Sequence, residues 1–282
     1  MAWDLSSELM RATVQVEQAL PDGRHIIGTG FLINDPTPDG RPRTVLVTAN
    51  HVLNRMPGAE AHIGYRVRDE DGGWRFDPQA ITIRAGGVEL WTHHSSRDVA
   101  AITVKAPPEL AKAAIPLGWL AENDTFSKYN IGPGDEMMVL GYPEGLSANG
   151  AGFPILRSGR VASPVEAVTT SPTFLLDFRV FPGNSGGPVF IAEAARRRPG
   201  ADAAQEVQFV AGMLTQQVEL NNEPLQIGIV TDAQFIRDTL AELDRPSTAP
   251  PVAPAAVAQT PPVGVARDSA VVRAVIGRAV SD

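Results

Sequence analysis

Gly183-Asn184-Ser185-Gly186-Gly187-Pro188, entered from Val180-Phe181-Pro182 and leading into an apolar strand, is the stretch on which the reading of this chain turns. Two glycines directly after a serine permit a backbone turn that bulkier residues obstruct. Such a turn leaves the Ser185 hydroxyl accessible and aims consecutive backbone N–H groups at one point, where they can hold a developing oxyanion. A serine hydroxyl is a poor nucleophile until a base takes its proton, so the string calls for a partner. His51 stands at the end of the apolar run Val45-Leu46-Val47-Thr48-Ala49-Asn50, where the chain turns out of a strand. Asp98, in Arg97-Asp98-Val99-Ala100-Ala101-Ile102, is an acid at the edge of another buried-looking strand. Taken singly, each has a purely structural reading: a glycine-rich loop, a hydrogen-bonded boundary histidine, a turn aspartate bonded to its own backbone.

Outward from these strings, short apolar or alternating runs are broken by Gly, Pro, Asn and Asp about every ten residues, a spacing that favours an all-β barrel or sandwich. The pattern predicts strands over 13–19, 25–33, 44–48, 81–85, 99–104, 136–140, 155–162, 173–178, 188–191, 207–217 and 225–230. Turn signals such as Pro21-Asp22-Gly23, Asp71-Gly72-Gly73 and Gly132-Pro133-Gly134 separate them. One long helix is predicted over 232–243, where Phe235, Ile236, Leu240 and Leu243 recur at helical spacing and Asp232 caps the start. From 245 to 266, 12 of 22 residues are Pro or Ala and none is aromatic, which reads as a flexible, extended linker. Residues 267–282 regain a helix-like pattern and read as a terminal tail or a short docking helix for a regulatory protein partner.

Composition removes whole classes of function. The 282 residues are 43% hydrophobic and 20% charged, with a net charge of −8, an ordinary globular balance for a chain long enough to bury roughly 70 to 75% of its unfolded surface. With no cysteine, structural disulfides, thiolate-bound zinc, iron–sulfur clusters and a thiol nucleophile are all excluded, and a reducing compartment is favoured. Residues 1–16 scatter Trp3, Asp4, Glu8 and Arg11 among apolar positions, unlike a secretory signal. The longest apolar runs are six or seven residues, against the ~18 to 20 that a membrane span requires. The acidic balance speaks against nucleic acid as a partner. A cytoplasmic setting is therefore expected.

Taken together, the three strings resemble the trypsin-like, chymotrypsin-fold serine peptidases, above all the bacterial branch of HtrA-type protease domains. They run in the order His, Asp, Ser, with 47 residues from His51 to Asp98 and 87 from Asp98 to Ser185. Gly28-Thr29-Gly30-Phe31 is similar to the family's Gly-Ser-Gly-Phe strand ahead of its histidine, and Leu140-Gly141-Tyr142-Pro143 to its Gly-Tyr-Pro turn. The resemblance covers residues 9 to 243. It implies two six-stranded antiparallel β-barrels, the first over about 9–118 and the second over about 119–231, in one protease domain of residues 1–244. It further implies that Ser185 attacks the scissile carbonyl, that His51 takes and returns the proton, and that Asp98 orients the imidazole. The resemblance likewise implies that the backbone N–H groups of Gly183 and Ser185 form the oxyanion hole. Protein or peptide substrates are implied, with no metal or organic cofactor.

Two departures from the family stand out. Asn184 replaces the aspartate that pairs with a new N-terminus in secreted digestive members, so no such activation switch is expected. About 40 residues follow the protease domain, where HtrA-type proteins usually carry a PDZ domain. In the specificity pocket, Arg179 falls six residues before Ser185, where members preferring basic residues place an acid. Either it points into the pocket and favours acidic residues, or alternation along Asp177-Phe178-Arg179-Val180 sends it to solvent or into an ion pair with Asp177. Leu214, Thr215 and Gln216, with Gly228 in the 227–230 segment, supply the opposite wall, an apolar lining suited to small or medium side chains. Arg196-Arg197-Arg198 reads as a solvated loop, and His93 and His94 as surface residues. The reading is a regulated intracellular serine endopeptidase. A catalytically silent trypsin-like fold serving as a binding module is the alternative.

Overall fold

The computed structural model describes residues 4–165, 172–197, 203–221 and 223–244; the 245–266 linker and 267–282 tail lie outside the described residues. Five short helices accompany the strands: α1 (Leu5–Ala12), α2 (Asn50–Asn54), α3 (Pro108–Ala113), α4 (Thr125–Tyr129) and α5 (Ala233–Glu242). The first half holds β1 (Thr13–Ala19), β2 (His25–Asn34), β3 (Thr44–Thr48), β4 (Glu60–Arg68), β5 (Trp74–Thr82), β6 (Arg84–Ala85), β7 (Val88–Glu89), β8 (Thr92–His93), β9 (Ala100–Val104) and β10 (Ile115–Pro116). The second holds β11 (Glu136–Gly141), β12 (Ile155–Val161), β13 (Thr173–Asp177), β14 (Pro188–Arg196), β15 (Gln205–Leu220) and β16 (Glu223–Asp232).

The second half closes into a six-stranded barrel in the order β11-β12-β13-β16-β15-β14, the antiparallel all-β architecture that the turn spacing implied. The first half differs from the expected closed ring of six. Its described strands form one eight-stranded sheet in the order β5-β4-β1-β2-β3-β9-β8, with β10 alongside β2, while β6 and β7 pair separately. At one end β8 is only two residues long, and at the other β5 carries Pro78, which has no N–H to donate to a further strand. The same feature hid the β4–β5 hairpin, paired from Glu60↔Thr82 to Arg68↔Trp74. Pro78 and the outward polar residues break the apolar rhythm of β5, leaving only 81–85 legible as a strand.

The N-terminal segment forms α1, in which Leu5, Leu9 and Ala12 recur one turn apart on a single face and are fully buried. Asp4 caps it by accepting from the Ser6 N–H at 3.2 Å, and the Leu5 N–H donates to the Gln208 amide oxygen on β15 at 2.8 Å. Burying two leucines contributes roughly 1.5–3 kcal/mol each. Beneath α1 lies Arg66, fully buried on β4. Its guanidinium donates to the carbonyls of Arg11, Thr13 and Gly152 and to the Tyr142 hydroxyl, and lies 4.8 Å from the Phe153 ring centre. A buried cation is tolerable only when its N–H groups find acceptors. Here the acceptors come from both halves, so the charge ties them together.

Arg196 overturns the solvated-loop expectation. It ends β14 with a largely buried side chain paired to Asp135 at 2.7 Å and Glu193 at 2.8 Å, while Arg197 is exposed and Arg198 lies outside the described residues. His93 is exposed and the His94 ring packs edge-on to Phe235 of α5. No described helix is long and apolar enough to cross a membrane.

The predicted C-terminal helix is present as α5, capped by Asp232, whose carboxylate accepts from the Gln234 N–H at 2.8 Å. Asp232 is nearly buried, and that burial pushes its carboxyl from the ordinary 3.8 up to about 6. Between those values the folded chain keeps a proton that the unfolded chain has released. Stability from this group therefore falls as pH rises from about 4 to about 6, and ionised Asp232 costs roughly 2–3 kcal/mol at pH 7. Asp232→Asn keeps a capping oxygen and removes the charge. We expect urea unfolding to show it about 1–3 kcal/mol more stable than wild type at pH 7, with the difference shrinking by pH 4; a variant less stable at pH 7 would contradict the account.

Candidate active site

Strands β3 and β9 pair antiparallel, with Thr48 opposite Ala100. Three residues after Thr48 comes His51, on the single turn of α2, and two residues before Ala100 comes Asp98, so both emerge at the same end of the pair. The Asp98 carboxylate uses both oxygens on one residue: Oδ1 accepts from the His51 backbone N–H at 2.8 Å, and Oδ2 lies 2.6 Å from His51 Nδ1. This grip fixes the ring's orientation and places the Nδ1 proton toward the acid, leaving Nε2 as an acceptor. The Trp91 indole N–H donates to Asn50 Oδ1 at 2.8 Å and braces the start of the helical turn.

Ser185 arrives from the other half. Its carbonyl accepts from the Thr29 N–H at 2.9 Å, and the following turn is sewn to β15 by Gly186 N–H to Leu214 O at 2.8 Å and Leu214 N–H to Gly187 O at 2.9 Å. Asn184, buried, accepts the Phe181 N–H on its side-chain oxygen at 3.0 Å. The neutral amide thus organises the turn locally. The Ser185 hydroxyl donates to the Thr215 carbonyl at 3.2 Å and makes no hydrogen bond to His51 among the described contacts.

Thr29 joins the halves through its N–H and its hydroxyl. Besides its N–H, its hydroxyl donates to Gly183 O at 2.7 Å and accepts from the Tyr142 N–H at 3.1 Å, and its carbonyl accepts from the Thr48 hydroxyl at 2.7 Å. The Pro182 carbonyl in turn accepts from the Glu144 N–H at 2.7 Å. In a trans peptide the C=O and the next N–H point in opposite directions, so anchoring Pro182 O turns the Gly183 N–H away from Glu144. Neither the Gly183 nor the Ser185 N–H donates to another described backbone or side-chain group, leaving both free for an oxyanion. Gly183, at φ +91°, needs its glycine: a Cβ there would sit 2.2 Å from the Tyr142 carbonyl.

The expected pocket residues separate into two groups. Leu214 is fully buried, its side chain packed against Gly228, and Thr215 turns its hydroxyl inward to Ile229 O and Thr231 Oγ1. Both side chains therefore belong to the core rather than to an open wall, because the Gly187–Leu214 bonds pull β15 tight under the serine turn. From Thr215 only the carbonyl faces the site, where it meets Ser185. Gln216 is exposed, and Gly228 is buried against Leu214, Val180 and Phe178. Arg179 is exposed, its guanidinium 4.8 Å from the Phe181 ring centre, and forms no ion pair with Asp177. Sequence reasoning missed Thr29, Thr48, Glu144 and Arg157. Only Thr29 had a signal, the two glycines that flank it. No described group of His, Asp or Glu side chains is arranged to hold a metal ion.

Residues 28–195, more than half of the chain, match the family model for the trypsin-like peptidase domain, and the protein belongs to that family. Two solved structures of the HtrA-type protease AlgW with tripeptide, one of them a point variant, share its fold. Each is 14% identical to it at a TM-score of 0.50, and they cover 86% and 85% of this chain. The chain spans 62% of the length of each of those structures. No curated protein matches the chain by sequence.

The Thr29 hydroxyl is buried between the Gly183 carbonyl and the Tyr142 N–H, so its loss tests how the Gly183 turn is held. Thr29→Val should slow covalent labelling of Ser185 by a fluorophosphonate about tenfold or more, and Thr29→Ser should restore most of the rate, since a mispositioned donor forfeits part of the hole's stabilisation. A folded Val variant labelling at the wild-type rate would refute this role.

Proposed function

We propose that this chain is a serine endopeptidase that hydrolyses peptide bonds of protein substrates through an acyl-enzyme intermediate, with Ser185 as nucleophile, His51 as base and acid, and Asp98 as the orienting carboxylate. The observation that carries the reading is the double grip of Asp98 on His51. Holding the ring nitrogen as well as the backbone fixes the orientation and tautomer of the imidazole, which a general base requires and a turn does not.

In this mechanism the Ser185 hydroxyl leaves Thr215 O by rotation about its side-chain torsion, giving up a neutral hydrogen bond of roughly 0.5–1.5 kcal/mol. It then passes its proton to His51 Nε2 as Oγ bonds to the scissile carbonyl carbon. The oxygen, now anionic, is received by the Gly183 and Ser185 N–H groups, with about 2.7–4 kcal/mol at stake for each donor. His51 gives the proton to the leaving amine as the C–N bond breaks, leaving the acyl group on Oγ. Water, activated by the same imidazole, then adds to that ester and releases the acid. Asp98 holds the cationic ring through both steps.

The resting bond to Thr215 supports a regulated enzyme, in which the nucleophile is engaged only when substrate or a partner changes the site. Unselective, constitutive proteolysis by the purified protein would speak against regulation. The intracellular setting rests on the cysteine-free composition, and cell fractionation checks it. The same Ser185–Thr215 bond also favours the second reading, a silent fold used as a binding module.

Fluorophosphonate labelling decides between them: we expect one covalent adduct on the full chain, located at Ser185 by mass spectrometry and absent from Ser185→Ala. Asp98→Asn should lower turnover by about 10⁴. Failure to label under any condition would favour the binding module.

A further inference from the structure

Partly buried arginines in this protein are, with few exceptions, matched. Arg43 meets Asp35 and Asp244, Arg196 meets Asp135 and Glu193, Arg84 and Arg237 each have a glutamate within 4 Å, and Arg66 is ringed by carbonyls. Arg157 breaks the pattern, as does Arg97, which has only the Phe235 ring 5.2 Å away; the exposed Arg179 lies beside Arg157. Arg157 reaches from β12 so that its guanidinium lies 4.3 Å from the ring centre of Phe178 and 5.1 Å from that of Phe181, and it donates to the Arg179 carbonyl at 2.7 Å. Arg179 takes the Phe181 ring as well, at 4.8 Å. Two cations thus share one aromatic ring, and no described carboxylate lies within ion-pair distance of either. Like charges held together oppose each other. Burial and the neighbouring Arg179 hold Arg157 below the usual guanidinium range, and stacking on a ring offsets only part of that repulsion.

The shared ring is tied to the chemistry. Phe181 stands four residues before Ser185, at most about 14 Å along even an extended chain, and its N–H is bound by Asn184, the residue next to the nucleophile. Beside it Val180, partly exposed, packs over the buried Phe178 and Gly228. An apolar stem ending in a negative charge matches this surface: methylenes against the hydrocarbon, a carboxylate against the planar forks of guanidinium, which bind that group better than any other side chain does.

We propose that Arg157 and Arg179 are specificity residues that receive an acidic side chain of the substrate on the acyl side of the scissile bond. This rests on the peptidase reading above and names its substrate class. A chain of net charge −8 that keeps two unneutralised cations a few residues from its nucleophile discriminates by charge at that spot.

The test uses the full chain and a degenerate library of C-terminally amidated peptides, so that side chains are the only internal carboxylates. Cleavage positions read by mass spectrometry should be enriched in Glu or Asp over Gln or Asn on the acyl side. Matched Glu and Gln peptides drawn from the best sequence should then differ about tenfold in kcat/KM, less in high salt. Arg179→Gln should bring that ratio close to one and Arg179→Glu should invert it. Because the readout is a ratio within each variant, a general loss of activity leaves it interpretable, and Arg157→Gln provides an independent second position. Cleavage of the Glu and Gln peptides at equal rates by wild type, or a ratio untouched by both Arg179 variants, would overturn this inference while leaving the peptidase reading intact. Absence of both hydrolysis and fluorophosphonate labelling would overturn the two together.

Discussion

Thr29 is the residue through which the two halves of this protein become one site. A β-strand residue ordinarily spends its N–H and C=O on neighbouring strands and leaves its side chain to pack. Here the N–H goes to Ser185, the carbonyl to Thr48, and the hydroxyl to both Gly183 and Tyr142. Buried polar groups are costly when unpaired, so this residue admits one arrangement of the strand carrying the serine relative to the strand leading to the histidine. Gly186 adds a steric limit, since a Cβ there would stand 1.9 Å from the Thr29 carbonyl. The relative position of Ser185 and His51 follows from these bonds more than from any contact between the two side chains.

A second constraint works from further away. The buried Arg66 binds the Tyr142 hydroxyl and the Gly152 carbonyl on one side and the Thr13 and Arg11 carbonyls on the other. Tyr142 begins the tight turn whose Glu144 N–H anchors Pro182, and Glu144 occupies the left-handed region at φ +52°. A chain of polar contacts therefore runs from the N-terminal helix through a fully buried cation to the peptide that aims the Gly183 N–H. Within that frame the Ser185 hydroxyl rests on the Thr215 carbonyl.

Much of the architecture was legible because β-strands advertise themselves by a two-residue alternation and by the turn residues between them. Strands such as β1 and β3 emerge with their observed limits, and α5 emerges with its cap, since Asp232 and the apolar spacing after it are local signals. The β4–β5 hairpin escaped because an edge strand bearing Pro78 has a solvated outer face and no apolar rhythm. Helix α1 escaped because Leu5, Leu9 and Ala12 form too short a run to stand out before burial gives it purpose. Arg196 was misjudged because a run of three arginines looks solvated until Asp135 and Glu193, distant or across a bend, are brought to it.

For the site, the residue types and their order along the chain were enough to nominate His51, Asp98, Ser185 and the Gly183 turn, because nucleophile, base and orienting acid are chemical requirements that few side chains meet. Which atoms actually meet was decided only by folding. Asp98 binds the backbone of His51 as well as its ring, Leu214 and Thr215 turn into the core, Asn184 serves its own turn, and Arg157 arrives beside Arg179 from a strand more than twenty residues away. Local composition encodes propensity and chemistry within a few residues, whereas hydrogen bonds between the halves depend on registers and barrel closure set by the whole chain at once. The candidate residues are a property of the linear polymer; their grip, the resting hydroxyl and the unmatched charges are properties of the packed one.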